Sequence, residues 1–219
     1  MPVIVVGGEK GGTGKTTQVT NIAGILSNFN DSDFILVDTD KQGTAARWCD
    51  RRNTDRNLQQ ISCVRITGKG IPAQVKRLLD KYKIVLIDAG GTDSVELRGA
   101  MAVADLFVVT IKPSQFDVET LPKVSQLIDE VGIYNENIDS KALITMASTN
   151  PQVKEANEVK ELFDEINNIS LFESVNYDRK VFRDAVKEGM AVTEFMPKNE
   201  KAIEETLNIF KEVFSGFKF

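Results

Sequence analysis

The sequence predicts an α/β fold, an open, mostly parallel twisted sheet with helices on both faces. Three observations carry that expectation. Apolar runs of strand length recur at 3–6, 34–37, 84–87, 106–111 and 142–146, each is followed by a segment of helical spacing, and no Pro- or Ser-rich linker breaks the alternation. Parallel strands need a crossover between them, and the intervening helices supply it with a right-handed turn. Ligands in such sheets gather at the carboxyl ends of the strands. With 42% hydrophobic residues in 219, one core and a single domain over 1–219 are expected.

The run at 3–6 passes directly into Glu9-Lys10-Gly11-Gly12-Thr13-Gly14-Lys15-Thr16-Thr17. A strand that ends in a glycine-rich turn and opens into a helix aims consecutive backbone N–H groups and the positive end of the helix dipole at one point, which suits a polyphosphate. Lys15 is then expected to reach the β- and γ-phosphates and the Thr16 hydroxyl to bind Mg²⁺. The generic phosphate-loop spacing requires glycine five residues before Gly14, where this chain has Glu9. The two-lysine variant, Lys10-Gly11-Gly12-x-Gly14-Lys15-Thr16, is complete. Glu9 is unfavourable beside phosphates unless it points away or pairs with a base.

The second run ends in Asp38-Thr39-Asp40-Lys41-Gln42-Gly43. Two carboxylates at i and i+2 of an extended segment can approach a metal or an attacking water together. The run at 84–87 ends in Asp88-Ala89-Gly90-Gly91, a lone carboxylate suited to a Mg²⁺-bound water and a glycine pair that lets backbone approach a terminal phosphate. After 106–111 come Lys112-Pro113-Ser114-Gln115-Phe116-Asp117. Val75, Leu78 and Leu79 share one helical face, and Val159, Leu162, Phe163 and Ile166 share another. Near the end of the sequence, Ile203, Leu207, Phe210, Phe214 and Phe217 form a stripe. The opposite face mixes Lys201 and Lys211 with Glu204, Glu205 and Glu212, so docking on the core is expected rather than attachment to an anionic membrane.

Composition excludes several chemistries. The chain has no histidine, and Cys49 and Cys63 lack metal-ligand spacing, so a zinc site or histidine acid–base catalysis is not expected. The first residues enter a strand without a charged leader, and no apolar stretch approaches membrane-spanning length, so a cytoplasmic location is expected. The net charge of −5 hides a block from Lys41 to Lys83 with eleven Lys or Arg against three Asp. That block reads either as an electropositive face for a polyanion such as DNA or as separate solvated helix faces.

The loop from Lys10 to Thr16, the Asp38-x-Asp40 pair and Asp88 together resemble the ParA/MinD family of deviant Walker A ATPases. The later segments resemble it more loosely: 111–117 is similar to a junction facing the dimer partner, and 177–185 with Gly189 and Glu194 is similar to a late arginine, glycine and glutamate pattern. The resemblance implies a P-loop NTPase fold, ATP/ADP and Mg²⁺ as cofactors, and slow hydrolysis. By position it assigns phosphate binding to Gly11, Gly12, Thr13, Gly14, Lys15, Thr16 and Thr17, the metal shell to Thr16, Asp38 and Asp88, and the catalytic roles to Lys10, Lys15 and Asp40. In the family the lysine matching Lys10 crosses a dimer interface to the partner's nucleotide, and the aspartate matching Asp40 orients the hydrolytic water.

The implied cycle is an ATP-sandwich homodimer that binds DNA nonspecifically on the nucleoid. A ParB-like centromere-binding or adaptor protein stimulates hydrolysis and resets the dimer. Lacking a preceding helix-turn-helix domain, the chain is similar to small plasmid-partition ParA proteins, a likeness to which Trp48 and the Arg51-Arg52 pair contribute. A same-fold ATPase that positions a protein body or the division machinery is the alternative, followed by an ATP-dependent ligase of the dethiobiotin synthetase kind. An iron–sulfur reductase is set aside because both cysteines precede Asp88. Lys41 stands where the family has proline, which is expected to leave that turn less restrained. The basic block competes for a DNA-facing role with Arg179, Lys180, Arg183 and Lys187, which are diluted by Asp178, Asp184 and Glu188 and read equally as a solvated helix face.

Overall fold

The computed structural model describes residues 1–29, 33–150, 152–153, 156, 159, 163 and 166–217. The apolar runs become β1 (Val3–Gly7), β2 (Phe34–Asp38), β4 (Ile84–Asp88), β5 (Leu106–Ile111) and β6 (Asp139–Ile144). Two short strands, β3 (Cys63–Arg65) and β7 (Ser170–Leu171), complete one seven-stranded sheet in the order β3-β2-β4-β1-β5-β6-β7, and every pairing is parallel. The sheet is the one expected, in the arrangement of P-loop NTPases. β6 departs from its apolar run: it begins at Asp139, opposite Leu106, and ends at Ile144, because pairing with β5 sets the register rather than side-chain hydropathy. Met146, inside the expected strand, has left-handed backbone (φ 55°).

Period-2 alternation explains why β1 is apolar throughout. Val3 and Val5 point into one core and Ile4 and Val6 into another, on opposite faces of the sheet. The first face is covered by α3 (Ile71–Leu79), α4 (Val95–Met101) and α6 (Leu121–Gly132). The second is covered by α1 (Lys15–Ser27), α2 (Thr44–Thr54) and α8 (Glu200–Phe214). A four-residue α5 (Gln115–Val118) follows β5, and α7 (Lys180–Lys187) precedes α8. Val75 is buried with Leu78 and Leu79 packed partly beside it, as their spacing predicts. Val159 and Phe163 are buried too and Ile166 packs against them, whereas Leu162 lies outside the described residues.

α8 docks on the core, but through a face rotated by about one residue from the predicted stripe. Ala202, Thr206, Ile209, Val213 and Phe214 are buried, while Leu207 is exposed and Phe210 and Phe217 are half-buried. Small residues at 202 and 206 let the helix approach closely, and Phe210 stacks on Phe29 at 5.8 Å at the margin. No helix among the described residues is long and apolar enough to cross a membrane.

Strand order places the site. β1 continues to β2 on one side, passing over the position of β4, while β5 pairs on its other side. The chain therefore diverges at the carboxyl end of β1, where open α/β sheets form their ligand crevice.

Candidate functional site

The turn between β1 and α1 stands in that crevice. Gly14 caps α1 in the left-handed region (φ 84°), and no side chain caps the helix, so the first-turn N–H groups of Lys15, Thr16 and Thr17 face the loop. Thr13 anchors the loop to neighbouring strand ends: its hydroxyl shares a hydrogen bond with Thr110 (2.7 Å), and its carbonyl accepts one from the Thr145 hydroxyl (2.8 Å). The Lys15 ammonium bends over the loop and donates to the Lys10 carbonyl at 2.5 Å. Burial lowers its pKa, with Asp88 and Asp40 acting in the other direction.

Strand ends bring the carboxylates to the same crevice. Asp38 and Asp88 are direct register partners on β2 and β4. Asp88 is buried, and its Oδ2 accepts a hydrogen bond from the Thr16 hydroxyl at 2.7 Å. Its Oδ1 is buried with no hydrogen-bond partner among the described residues, and burial pushes the carboxyl up to about 7. An orphaned anionic oxygen beside a threonine hydroxyl at the mouth of a phosphate-type loop fits a hard divalent cation. Among the described residues no three Asp, Glu, His or Cys side chains cluster as an all-protein metal cage. That suits Mg²⁺, which is commonly held by one or two carboxylates plus phosphate oxygens and waters.

Asp38 and Asp40 differ in environment although they are two residues apart. Both Asp38 oxygens receive backbone donors, from Asp40 N at 3.0 Å and Ala46 N at 2.8 Å, so this carboxylate ties the turn to the start of α2. Burial raises its pKa against those two N–H groups. Asp40 is half-exposed, accepts from Gln42 N at 2.8 Å, and has its Oδ2 3.9 Å from where a Cβ on Gly90 would stand. Gly91 packs against the loop itself: a Cβ there would lie 2.6 Å from the Lys10 carbonyl oxygen and 2.8 Å from Lys15 Nζ. Only glycine allows this approach.

The predicted slackness of the turn at Lys41 is not what the structure shows. Arg65 on β3 donates to the Lys41 carbonyl (3.1 Å), and its guanidinium packs where a Cβ on Gly43 would be, 2.8 Å from Cζ. A cation from the neighbouring strand restrains the turn where the family has proline. Glu9 is also accounted for, since it pairs with Lys123 of α6 and turns away from the loop. The Lys10 ammonium donates to the Phe116 carbonyl, lies 4.0 Å from Asp117, and sits over the Phe116 ring.

The two basic candidates separate. Ten of the eleven cations between Lys41 and Lys83 are exposed, and none of the ten forms an ion pair among the described residues. They flank the edge strand β3, on α2, α3 and the adjoining turns. The eleventh, Arg52, is fully buried. In the later cluster Arg179 pairs with Glu205, Lys180 with Asp184, and Arg183 with Asp178. Acidic neighbours thus neutralise three of its four basic residues, while Lys187 forms no ion pair among the described residues.

A parallel sheet whose first strand feeds a two-lysine glycine loop, with a buried aspartate bonded to the loop threonine, defines a P-loop nucleotide-binding protein. The chain belongs to the CobQ/CobB/MinD/ParA nucleotide-binding family, whose domain model matches residues 4–208. It is 25% identical over 212 residues to the maintenance of carboxysome distribution protein A of Halothiobacillus neapolitanus, spanning 96% of this chain and 95% of that protein. It is 26% identical over 149 residues to protein ParA of Rhizobium radiobacter, spanning 68% of this chain and 66% of the relative. Among solved structures, MinD of Aquifex aeolicus superposes with a TM-score of 0.77 at 16% identity, covering 100% of this chain and 98% of that one. An ATP complex of a Cyanothece McdA variant gives 0.74 at 15% identity, with coverage of 100% and 98%. Both structural likenesses bear on the fold.

Proposed function

We propose that this chain is a Mg²⁺-dependent ATPase of the positioning kind, in which ATP joins two copies into a DNA-binding dimer and hydrolysis separates them. The observation that carries the reading is the division of labour between the loop lysines: Lys15 folds over its own loop, whereas Lys10 points outward onto the exposed segment at Phe116. The N–H groups from Gly11 to Thr17 and the Lys15 ammonium hold the phosphates, and Lys10 serves the partner's nucleotide. Thr16 and Asp88 hold the cation, and Asp38 fixes the turn beside it. When bound, Mg²⁺ neutralises charge on the phosphate oxygens. Asp40, half-exposed beside Gly90, orients the attacking water. A groove at the carboxyl end of β6, lined by Ser148, Asn150 and Tyr177 among others, accepts the base.

DNA meets the exposed cations around β3, none of them ion-paired among the described residues, in preference to the largely neutralised cluster around α7. Cargo has two readings. Plasmid DNA follows from the likeness to ParA, with a ParB-like adaptor as stimulating partner. A protein body is favoured by the carboxysome-distribution relative, which matches over nearly its full length. The test is ATP turnover and duplex-DNA binding, each with and without the other ligand and at two salt concentrations. Slow turnover and ATP-dependent DNA binding that weakens steeply with salt are expected. Lys15→Ala should lose nucleotide binding, and Lys10→Ala should keep binding but lose dimer-dependent turnover. DNA binding indifferent to ATP would overturn the reading in favour of a ligase-type enzyme.

A further inference from the structure

Among the described residues, Lys10 and Lys15 of the loop and Lys123 beside it have partners. Lys15 donates to the Lys10 carbonyl, Lys10 to the Phe116 carbonyl, and Lys123 to Glu9. Lys112, the residue immediately after β5, does not. It is half-buried, and among the described residues its ammonium makes no ion pair or hydrogen bond. Its position follows from the loop: Gly12 has φ 75°, and a Cβ there would lie 4.0 Å from Lys112 Nζ. The ammonium thus stands at contact distance from the loop backbone at Gly12.

The backbone that carries Lys112 is held on both sides. Thr110, two residues earlier, bonds to Thr13 in the loop, and the Lys112 carbonyl accepts from Ser114 N at 2.8 Å across Pro113. Asp117, an acid on the following helix, is already engaged by the Ser114 hydroxyl at 2.6 Å and lies near Lys10. A half-buried cation with no acid of its own, fixed beside a phosphate loop, is complemented by an anion brought to that loop.

We propose that Lys112 is a third phosphate-directed cation of this site, contacting the polyphosphate of the nucleotide bound to its own subunit. The assignment rests on the nucleotide-site reading above. It makes Lys112 a binding residue that the two-lysine motif does not encode, because the residue reaches the loop from a strand about 100 positions away.

Lys112→Gln and Lys112→Arg test this, with ATP and ADP affinities measured by titration calorimetry at low and high salt and thermal unfolding measured alongside. The Gln variant should bind ATP about tenfold more weakly, as expected for one charge-assisted contact. ADP should lose less, the Arg variant should return to within about twofold of the parent, and the unfolding temperature should not move. The deficit should narrow at high salt, where screening weakens the contact. Unchanged affinities in the Gln variant would overturn the proposal, as would equal losses in Gln and Arg. A loss seen only when the protein dimerises would move Lys112 to the partner's nucleotide and overturn the assignment to its own subunit. Failure of the parent protein to bind ATP would instead remove the nucleotide-site reading itself, so the two failures are distinguishable.

Discussion

Two clusters of buried charge lie on this sheet, and they are built oppositely. Around Arg52 the charges are answered, and only the Trp48 indole N–H lacks a hydrogen-bond partner among the described residues. Its guanidinium makes two 2.7 Å bonds to Glu194, and further bonds to the Gln59 carbonyl (2.8 Å), the Ser27 hydroxyl (3.0 Å) and the Gly189 carbonyl (3.3 Å), above the Trp48 ring. Burial works to raise the Glu194 pKa, but Arg52, Ala191 N–H and Asn28 outweigh it and hold the carboxyl below its usual range. At the carboxyl ends of β1, β2 and β4 the charges are left unbalanced: Asp88 has an orphaned oxygen and a carboxyl raised to about 7, and Lys15 is buried with a depressed pKa. A saturated network stabilises one arrangement of α1, α2 and the segment before α8. An unsaturated one marks where a ligand supplies the missing partners.

The largest effect should come from breaking the saturated cluster. Arg52→Ala leaves Glu194 buried without its cation, and unfolding in urea should show a loss of about 3–5 kcal/mol. Replacing the pair together, Arg52→Met with Glu194→Leu, should recover most of that loss, because an apolar pair needs no charge compensation. If the single variant costs less than about 1 kcal/mol, the pair is not holding these elements together.

The unsaturated cluster should respond with the opposite sign. Asp88 has its folded pKa raised above the unfolded value, so the folded state binds the extra proton and metal-free stability falls as pH rises from about 4 to about 7. Asp88→Asn should therefore stabilise the metal-free protein at pH 8 by at most about 4 kcal/mol and make little difference at pH 4. Mg²⁺ with nucleotide should raise the parent's melting temperature and have much less effect on the variant. A parent whose stability is flat between pH 4 and pH 8 would show that the carboxylate is already compensated.

These clusters also divide what the sequence discloses from what it conceals. The loop, Asp38, Asp40 and Asp88 are legible because each directly follows an apolar strand, and parallel pairing brings strand ends together without further information. Partnerships across distant segments are not legible. Arg52 reads as one member of an exposed basic block because Glu194 is 142 residues away, and Glu9 reads as an anomaly because Lys123 is 114 residues away. β3 and β7 escape notice for another reason: three and two residues, partly exposed, show neither an apolar run nor a convincing alternation. Arg65 accordingly reads as surface charge, although it restrains the turn at Lys41. Lys112 shares this invisibility, since its lack of a partner among the described residues appears only when strand ends are assembled.

The smallest expected effect concerns Lys10, which stands between the two kinds of cluster. It is satisfied within its own chain, by the Phe116 carbonyl and by Asp117 at 4.0 Å, yet its side chain is about one-third exposed and Phe116 beside it is three-quarters exposed. An exposed cation held loosely by one buried acid is favoured by only a fraction of a kcal/mol to about 1 kcal/mol. If Lys10 must leave that acid to reach a partner's nucleotide, this energy opposes dimerisation. Asp117→Asn keeps an acceptor for the Ser114 hydroxyl while removing the charge, and should tighten ATP-dependent dimerisation by about two- to fivefold in analytical ultracentrifugation, with monomer ATP affinity unchanged. Weaker dimerisation in this variant would mean that Asp117 aligns Lys10 for the partner, and the contact would then belong with the saturated cluster as part of the working geometry.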